Sequence, residues 1–172
     1  MIKNKRTLMF TGSVLNFIGI LKRLAYIAGL LCFAVLCLTG FGSLLISGSL
    51  CGYWLMLHAA CAPVFALCAV FLGITYAGDN EFSMRDWIDF TGIFKRKPVQ
   101  CACIMQKCCF WAMLILLLPV ILSILLCMFP VFGTHAQELM VFIHLISTSV
   151  FLLVFMVHIS LVLRSFLTGK IR

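Results

Sequence analysis

The stretch FIHLISTSVFLLVFMVHIS, residues 142–160, contains no Asp, Glu, Lys or Arg but carries two histidines, His144 and His158. A helix of about 20 apolar residues is long enough to cross the hydrocarbon core of a bilayer. Because an imidazole costs free energy in lipid, a histidine in such a helix is a functional candidate. The stretch therefore predicts a membrane-spanning helix with two candidate functional residues in it.

Three more stretches share this composition. The chain has 172 residues, of which 64% are hydrophobic and 10% are charged, and its mean hydropathy is +1.19. A soluble domain of this size cannot bury so much apolar surface, and lipid offers backbone amides no partner outside a helix. We therefore predict an all-α integral membrane protein, a four-helix transmembrane bundle with helices at about Leu24–Ile46, Tyr53–Ala77, Cys108–Phe129 and Leu139–Leu163.

The basic residues predict the topology. All 13 Lys and Arg residues lie in the N-terminal segment, the loop 78–107 or the C-terminal tail 164–172, whereas the loops 47–52 and 130–138 contain none. By the positive-inside rule, both termini are predicted to be cytoplasmic. Topology and lipid headgroups account for the net charge of +8, so we expect no nucleic-acid partner.

Two segments outside the helices are predicted to lie in the membrane interface. Residues 1–23 have the basic start and apolar core of a signal peptide, but no small-residue cleavage site precedes Lys22 and Arg23. They are interpreted as a cytoplasmic interfacial segment. In the loop, MRDWIDFTGIF (84–94) places four residues at helical spacing: Trp87, Phe90, Thr91 and Phe94. This pattern favours an interfacial helix or a docking surface for a partner subunit.

The ten cysteines do not form a disulfide framework. Five of them lie inside apolar helices, where a free cysteine behaves as a small hydrophobic residue. Iron–sulfur and zinc are alternatives for the cluster CACIMQKCC, but its CxCx4CC spacing matches no common ligand pattern. We interpret these side chains as free thiols, and the absence of a CxxCH motif excludes covalently attached c-type haem. The cluster residues are Cys101, Cys103, Cys108 and Cys109.

The two histidines of the fourth helix are predicted to share one face. Fourteen residues correspond to about 21 Å of rise and about 1400° of rotation, within about 40° of four full turns. They would thus face the bundle interior at two depths. The alternative is hydrogen bonding between helices, with Ser147, Thr148 or Ser160 as partners.

A third histidine, His58, is predicted at the depth of His144. Two imidazoles at matched depth on different helices can hold one b-type haem between them. Gly40 and Gly42 in the first helix would let a flat macrocycle approach the backbone, unless they only serve helix packing. His158 has no such partner, because Leu72 lies fourteen residues after His58 and KRLAYIAGLL (22–31) contains no histidine. The fourth histidine, His135, lies in an outer loop and is interpreted as a surface residue.

From about Lys22 to Lys170 the chain resembles the cytochrome b (gamma) subunit of respiratory formate dehydrogenases and the related hydrogenase-type di-haem cytochromes b. The stretches that carry the resemblance are LTG (38–40), RDWIDF (85–90), QKCCFW (106–111), the single His58 and the pair His144 and His158. The resemblance implies that His58 and His144 ligate the iron of an outer haem b. It implies an inner haem at His158, where Tyr26 stands in place of the family's other histidine. It also implies a quinone site, for menaquinone or ubiquinone, at Gln106 and His158.

The expected function is that of a haem b subunit of a respiratory oxidoreductase complex in the bacterial inner membrane. It would pass electrons between an outer-side iron–sulfur or cytochrome subunit and the quinone pool, and it would not be an enzyme by itself. An alternative is a membrane anchor or assembly subunit that has lost one or both haems, which Tyr26 favours. The lack of buried carboxylates and basic residues in the helices argues against a transporter or channel.

Overall fold

The computed structural model describes residues 2–47, 50–84, 86, 98–129 and 132–167, with side chains from Phe17 onward except those of residues 47 and 98–102. The described residues contain no strand and form four helices: α1 (Ile2–Ser47), α2 (Gly52–Ala77), α3 (Pro98–Cys127) and α4 (Thr134–Leu167). Each contains a segment long and apolar enough to cross a membrane: Phe17–Ile46, Gly52–Ala77, Cys103–Cys127 and Thr134–Leu167. The predicted all-α class with four membrane-length helices is therefore confirmed. The chain divides into two compact units, Met1–Tyr76 and Ala77–Arg172.

In the first unit, α1 and α2 form an antiparallel pair. A Cβ built on Gly29 would lie 3.2 Å from Cβ of Cys68, and one built on Gly40 would lie 3.3 Å from Cε1 of His58. The two glycines are eleven residues apart, which is close to three full turns, so they lie on one face of α1. Small residues in such a row allow helices to approach closely in a membrane. The Phe33 ring adds a contact, with its centroid 5.5 Å from that of Phe65.

In the second unit, α3 and α4 form another antiparallel pair, held by polar contacts along its length. Near the loop that joins them, the Gln137 side-chain amide donates to the carbonyl of Cys127 at 3.5 Å. At the far end, the Gln106 amide donates to the Ser165 hydroxyl at 3.0 Å. Hydrogen bonds between helices are favoured in lipid, because a polar group there has no water to bind.

The helix ends reflect local sequence. Gly52 opens α2 with a φ of 57°, a left-handed conformation that glycine adopts without steric cost. Pro98 opens α3, at a position where its missing N–H is not needed. Phe129, which α3 was predicted to include, lies beyond the helix end at Cys127, consistent with the restriction that Pro130 imposes on the residue before it.

The predicted boundaries are shorter than the observed ones at three helices. Residues 2–23 are continuous with α1 and do not form a separate backbone element. The helix α3 begins at Pro98 and α4 at Thr134, ten and five residues before their predicted starts. The prediction covered only the charge-free part of each helix. A helix can extend beyond its apolar segment when the adjacent residues also form helix, and its ends are therefore harder to predict. The predicted interfacial helix at 84–94 lies almost entirely outside the described residues.

Candidate functional site

His58 lies on the face of α2 that contacts α1. Its Nδ1 is 2.9 Å from the hydroxyl of Thr39, and its ring lies against Gly40, where a Cβ would approach Cε1 to 3.3 Å. We predicted that Gly40 would leave room for a macrocycle. In the structure it leaves room for the imidazole of His58, while a Cβ at Gly42 would meet no atom of the described residues within 4 Å.

His144 lies on the face of α4 that contacts α3. Its Nδ1 is 3.0 Å from the main-chain carbonyl of Val120 and 3.3 Å from the hydroxyl of Ser123. A carbonyl oxygen can only accept a hydrogen bond, so Nδ1 must carry the proton and donate it. The neutral ring therefore has its basic lone pair on Nε2, which is the nitrogen a metal would bind. A histidine that ligates a metal commonly donates its other N–H to a carbonyl in this way.

Two of the three hydroxyls named as alternative partners of the α4 histidines, those of Thr148 and Ser160, donate within their own helix. Thr148 donates to the carbonyls of His144 at 2.8 Å and of Leu145 at 3.0 Å, both on its own helix. Ser160 similarly donates to Met156 at 2.7 Å. A hydroxyl in a helix satisfies itself on the preceding turn when nothing better is within reach. The acceptors for His144 come from α3 instead.

His158 lies beside the start of α3 and is near Gln106, as predicted. The main chain of Gln106 is next to its ring. The Gln106 side chain donates a hydrogen bond to Ser165, which lies almost two helical turns after His158 on α4. Nδ1 of His158 is buried and has no hydrogen-bond partner among the described residues. Both histidines of α4 thus contact α3, in agreement with the predicted shared face.

The remaining predicted residues are distributed over both units. His58 and Tyr26 belong to the first unit, and His144, His158 and Gln106 belong to the second. The Tyr26 side chain is 52% exposed, and His135 is exposed at the start of α4. Among the described residues no three His, Cys, Asp or Glu side chains form a group that could hold a metal ion directly. Cys103, Cys108 and Cys109 carry free thiols, and the Cys101 side chain lies outside the description.

A polar cluster joins two of the stretches that carry the family resemblance. The Lys107 ammonium of QKCCFW forms an ion pair with Asp86 of RDWIDF at 2.7 Å and donates to the carbonyl of Glu81 at 2.8 Å. The Trp111 indole N–H donates to the carbonyl of Asn80 at 2.9 Å. These bonds attach the segment 78–86 to the beginning of α3, within the second unit.

The Asp86–Lys107 pair is expected to make stability depend on pH. The hydrogen bond from Lys107, with a second from the Ser83 amide, holds the pKa of the Asp86 carboxyl below its usual value. The pair therefore stabilises the fold above the pKa of the unfolded carboxyl, and this contribution is lost as pH falls through the lower folded-state pKa. Thermal unfolding in detergent should show Asp86→Asn less stable than the wild type at neutral pH, with the difference disappearing in acid. A difference that stays constant with pH, or an equal one for the exposed Asp79→Asn, would contradict this assignment.

The acceptors that hold His58 and His144 were not predicted from the sequence. Thr39 is 1% exposed and Ser123 is 3% exposed, and both are among the most buried side chains described. Thr39 stands directly before Gly40 in the stretch LTG, but no contact was predicted for its hydroxyl. An imidazole inside a membrane needs a hydrogen-bond acceptor, and a buried hydroxyl on a neighbouring helix can supply one. This requirement could have indicated Ser and Thr residues of the neighbouring helices as candidates.

Comparisons with family models, with curated proteins and with solved structures give no match to this chain.

Proposed function

We propose that this protein is a haem b membrane subunit of a respiratory oxidoreductase complex, with His58 and His144 as the axial ligands. One observation carries the proposal: each imidazole lies in a membrane-length helix with Nδ1 against an acceptor of the neighbouring helix, Thr39 for His58 and Val120 for His144. A b-type haem bound through two such histidines supplies a one-electron centre. The donor set fits this group, because a pair of neutral imidazoles is what a low-spin haem iron requires.

The ligand role explains the histidines better than helix packing does. A hydrogen bond between helices in a membrane contributes about 0.6 kcal/mol on average. Ser, Thr or Asn would supply that bond with a smaller polar group to hold in lipid. An imidazole at both positions is therefore more than packing needs, whereas iron binding needs an imidazole nitrogen in particular.

The chain's own residues set the environment of such a centre. Val120 and Thr39 hold the rings by Nδ1, which fixes their orientation and raises the basicity of Nε2. The helices around them carry no Asp, Glu, Lys or Arg between Leu24 and Ala77, nor between Leu139 and Leu163. The site therefore excludes charged groups that would alter its potential, and the low dielectric of the membrane surrounds it.

The quinone and partner assignments extend this proposal. Gln106 and His158 lie together near the start of α3. Nδ1 of His158 is buried and has no hydrogen-bond partner among the described residues, so a polar atom of a ligand could bind it. A quinone, menaquinone or ubiquinone, presents carbonyl oxygens that such groups recognise. We assign the electron donor or acceptor on the opposite side to an iron–sulfur or cytochrome subunit, and the location to a bacterial inner membrane, on the strength of the resemblance.

One observation favours a second function, a membrane anchor or assembly subunit. Tyr26 stands where the resemblance leads us to expect the second ligand of an inner haem, and its side chain is 52% exposed. A phenol is a poor ligand for a low-potential haem, so a chain that has lost redox function would show this kind of change. Haem content and the absorption spectrum of the purified protein distinguish the two functions: a protein without bound haem would support the anchor.

The topology is tested separately from the cofactor. In a variant depleted of cysteine, Met84→Cys should react with a membrane-impermeant maleimide only after the cells are opened, because the basic residues place that loop in the cytoplasm. Gly133→Cys, in the loop without basic residues, is the matched control and should react in intact cells. Met84 is 81% exposed, so its reaction is not limited by burial. The opposite pattern would reverse the orientation.

A further inference from the structure

The hydroxyl of Thr39 lies near three polar atoms but has only one proton to donate. Its Oγ1 lies 2.7 Å from the carbonyl of Val35, 3.3 Å from that of Leu36 and 2.9 Å from Nδ1 of His58. Two oxygens at 2.7 Å need a proton between them, and the carbonyl of Val35 has none to give. The hydroxyl proton is therefore committed to Val35. Toward His58, the oxygen of Thr39 can only accept.

We assign the tautomer of His58 from this contact. Because Thr39 accepts, Nδ1 of His58 carries the proton and donates it, and the lone pair of the neutral ring lies on Nε2. His144 reaches the same tautomer through a different acceptor, the carbonyl of Val120. Two histidines in separate units thus present the same nitrogen as a base, although different chemical groups hold them.

Gly40, the residue after Thr39, determines how closely the His58 ring can approach α1. The imidazole lies against Gly40, where a Cβ would come within 3.3 Å of Cε1 and 3.7 Å of Nδ1. A Cβ at this distance would require the ring to shift by a few tenths of an ångström, so glycine allows the ring its observed position beside Thr39. The hydrogen bond sets which nitrogen faces α1, and the glycine sets how closely the ring approaches.

We infer that Thr39 is a positioning residue for His58: its hydroxyl holds the ring as the Nδ1–H tautomer and so directs Nε2 and its lone pair to the haem iron. The inference rests on the proposed function. It adds the residue that makes His58 a competent ligand and that tunes the centre, because a donor bond from Nδ1 increases the basicity of Nε2 and thereby stabilises the oxidised iron.

The experiment compares Thr39→Val, which keeps the shape of the side chain and removes the acceptor, with Thr39→Ser, which keeps the acceptor. Thr148→Val is the matched control, because the Thr148 hydroxyl also donates to carbonyls of its own helix, those of His144 and Leu145, and no histidine ring nitrogen is among its contacts. Thr39→Ala is a second variant without the hydroxyl acceptor, to be used if the valine variant does not insert into the membrane.

The first measurement uses the protein without haem. The ¹⁵N shifts of the His58 ring, assigned through a His58→Gln variant, should report the Nδ1–H tautomer in the wild type and in Thr39→Ser. In Thr39→Val they should report a mixture of tautomers. The same Nδ1–H tautomer in Thr39→Val and Thr39→Ala, or a mixture in Thr148→Val as well, would overturn the inference.

The second measurement uses the haem-loaded protein. Thr39→Val should raise the midpoint potential of the haem and weaken the low-spin spectrum. Thr39→Ser, which keeps the acceptor, should leave both close to the wild type. Equal potentials for the wild type and Thr39→Val would overturn the tuning role. A wild type that binds no haem would end the proposed function, whereas the tautomer measurement would still decide whether Thr39 holds the His58 ring.

Discussion

Replacing His58 or His144 with alanine is expected to abolish the low-spin spectrum of the reduced protein. Each replacement removes one of the two imidazole ligands, and a methyl group cannot supply a lone pair in its place. The acceptors left behind, Thr39 and Val120, cannot substitute, because Val120 offers only a main-chain carbonyl and the Thr39 hydroxyl proton is already bonded to Val35. Bound haem should fall to the level of non-specific association, measured by pyridine haemochrome assay.

His135→Ala is the matched control for this experiment. His135 is the chain's fourth histidine, it is exposed at the start of α4, and it should leave the spectrum unchanged. Circular dichroism and elution as a single species in detergent would show that the variants still fold. If His58→Ala or His144→Ala folds and keeps the wild-type spectrum, these residues do not ligate the iron.

We expect the purified protein to contain one haem per chain. The resemblance implies an inner site, but Tyr26 stands where a second histidine is needed, and a phenol is a poor ligand for a low-potential haem. His158 alone leaves an iron without a strong second axial ligand. His158→Ala should therefore leave both the haem content and the low-spin spectrum at the wild-type level.

The matched comparison is Tyr26→His, which restores the imidazole that the resemblance places there. If the inner site is otherwise intact, this variant should carry close to two haems per chain, and the double variant with His158→Ala should return to one. Two bis-histidine haems in the wild type would contradict the prediction and would show that the ligand on α1 has been assigned to the wrong residue.

If the protein holds a single haem at His58 and His144, this also limits where a quinone can react. The rise from His144 to His158 along α4 is about 21 Å, so a quinone bound at Gln106 would lie far from a centre held by His144. With one haem per chain, quinone chemistry at Gln106 needs a second redox centre from a partner subunit, or the quinone binds closer to His144. Quinone photolabelling of the purified complex would identify which residues it contacts.

The positions of the membrane-length helices were predictable because one strong effect, the exclusion of charge from the membrane, determines them. A charge in the hydrocarbon core is so unfavourable that stretches without Asp, Glu, Lys or Arg mark membrane spans on their own. Helix ends depend on weaker effects, and the prediction failed there. Lys107 was assigned to a loop, yet it lies within α3, because its long side chain can carry the ammonium out of the apolar region to Asp86 and Glu81.

The histidine contacts were only half predictable. The rotation per residue of an α-helix placed His144 and His158 on one face, and both contact α3. The partner of each ring could not be read from the sequence, because every Ser or Thr in a helix can satisfy its hydroxyl on its own preceding turn, as Thr148 does. Thr39 does the same and still accepts from His58. Only the packing of α1 against α2 distinguishes it from the others.

The division of the chain at Tyr76 has a consequence for its synthesis. The ribosome completes the first unit before the second, and at about 5 to 20 residues per second the second unit takes roughly 5 to 20 s to follow. During that interval the first unit already supplies what His58 needs, since Thr39 accepts from its Nδ1 and Gly40 admits its ring. The same holds for His144, whose acceptor on α3 is translated just before it. Each hairpin can therefore leave the insertion machinery with this nitrogen of its imidazole already hydrogen-bonded.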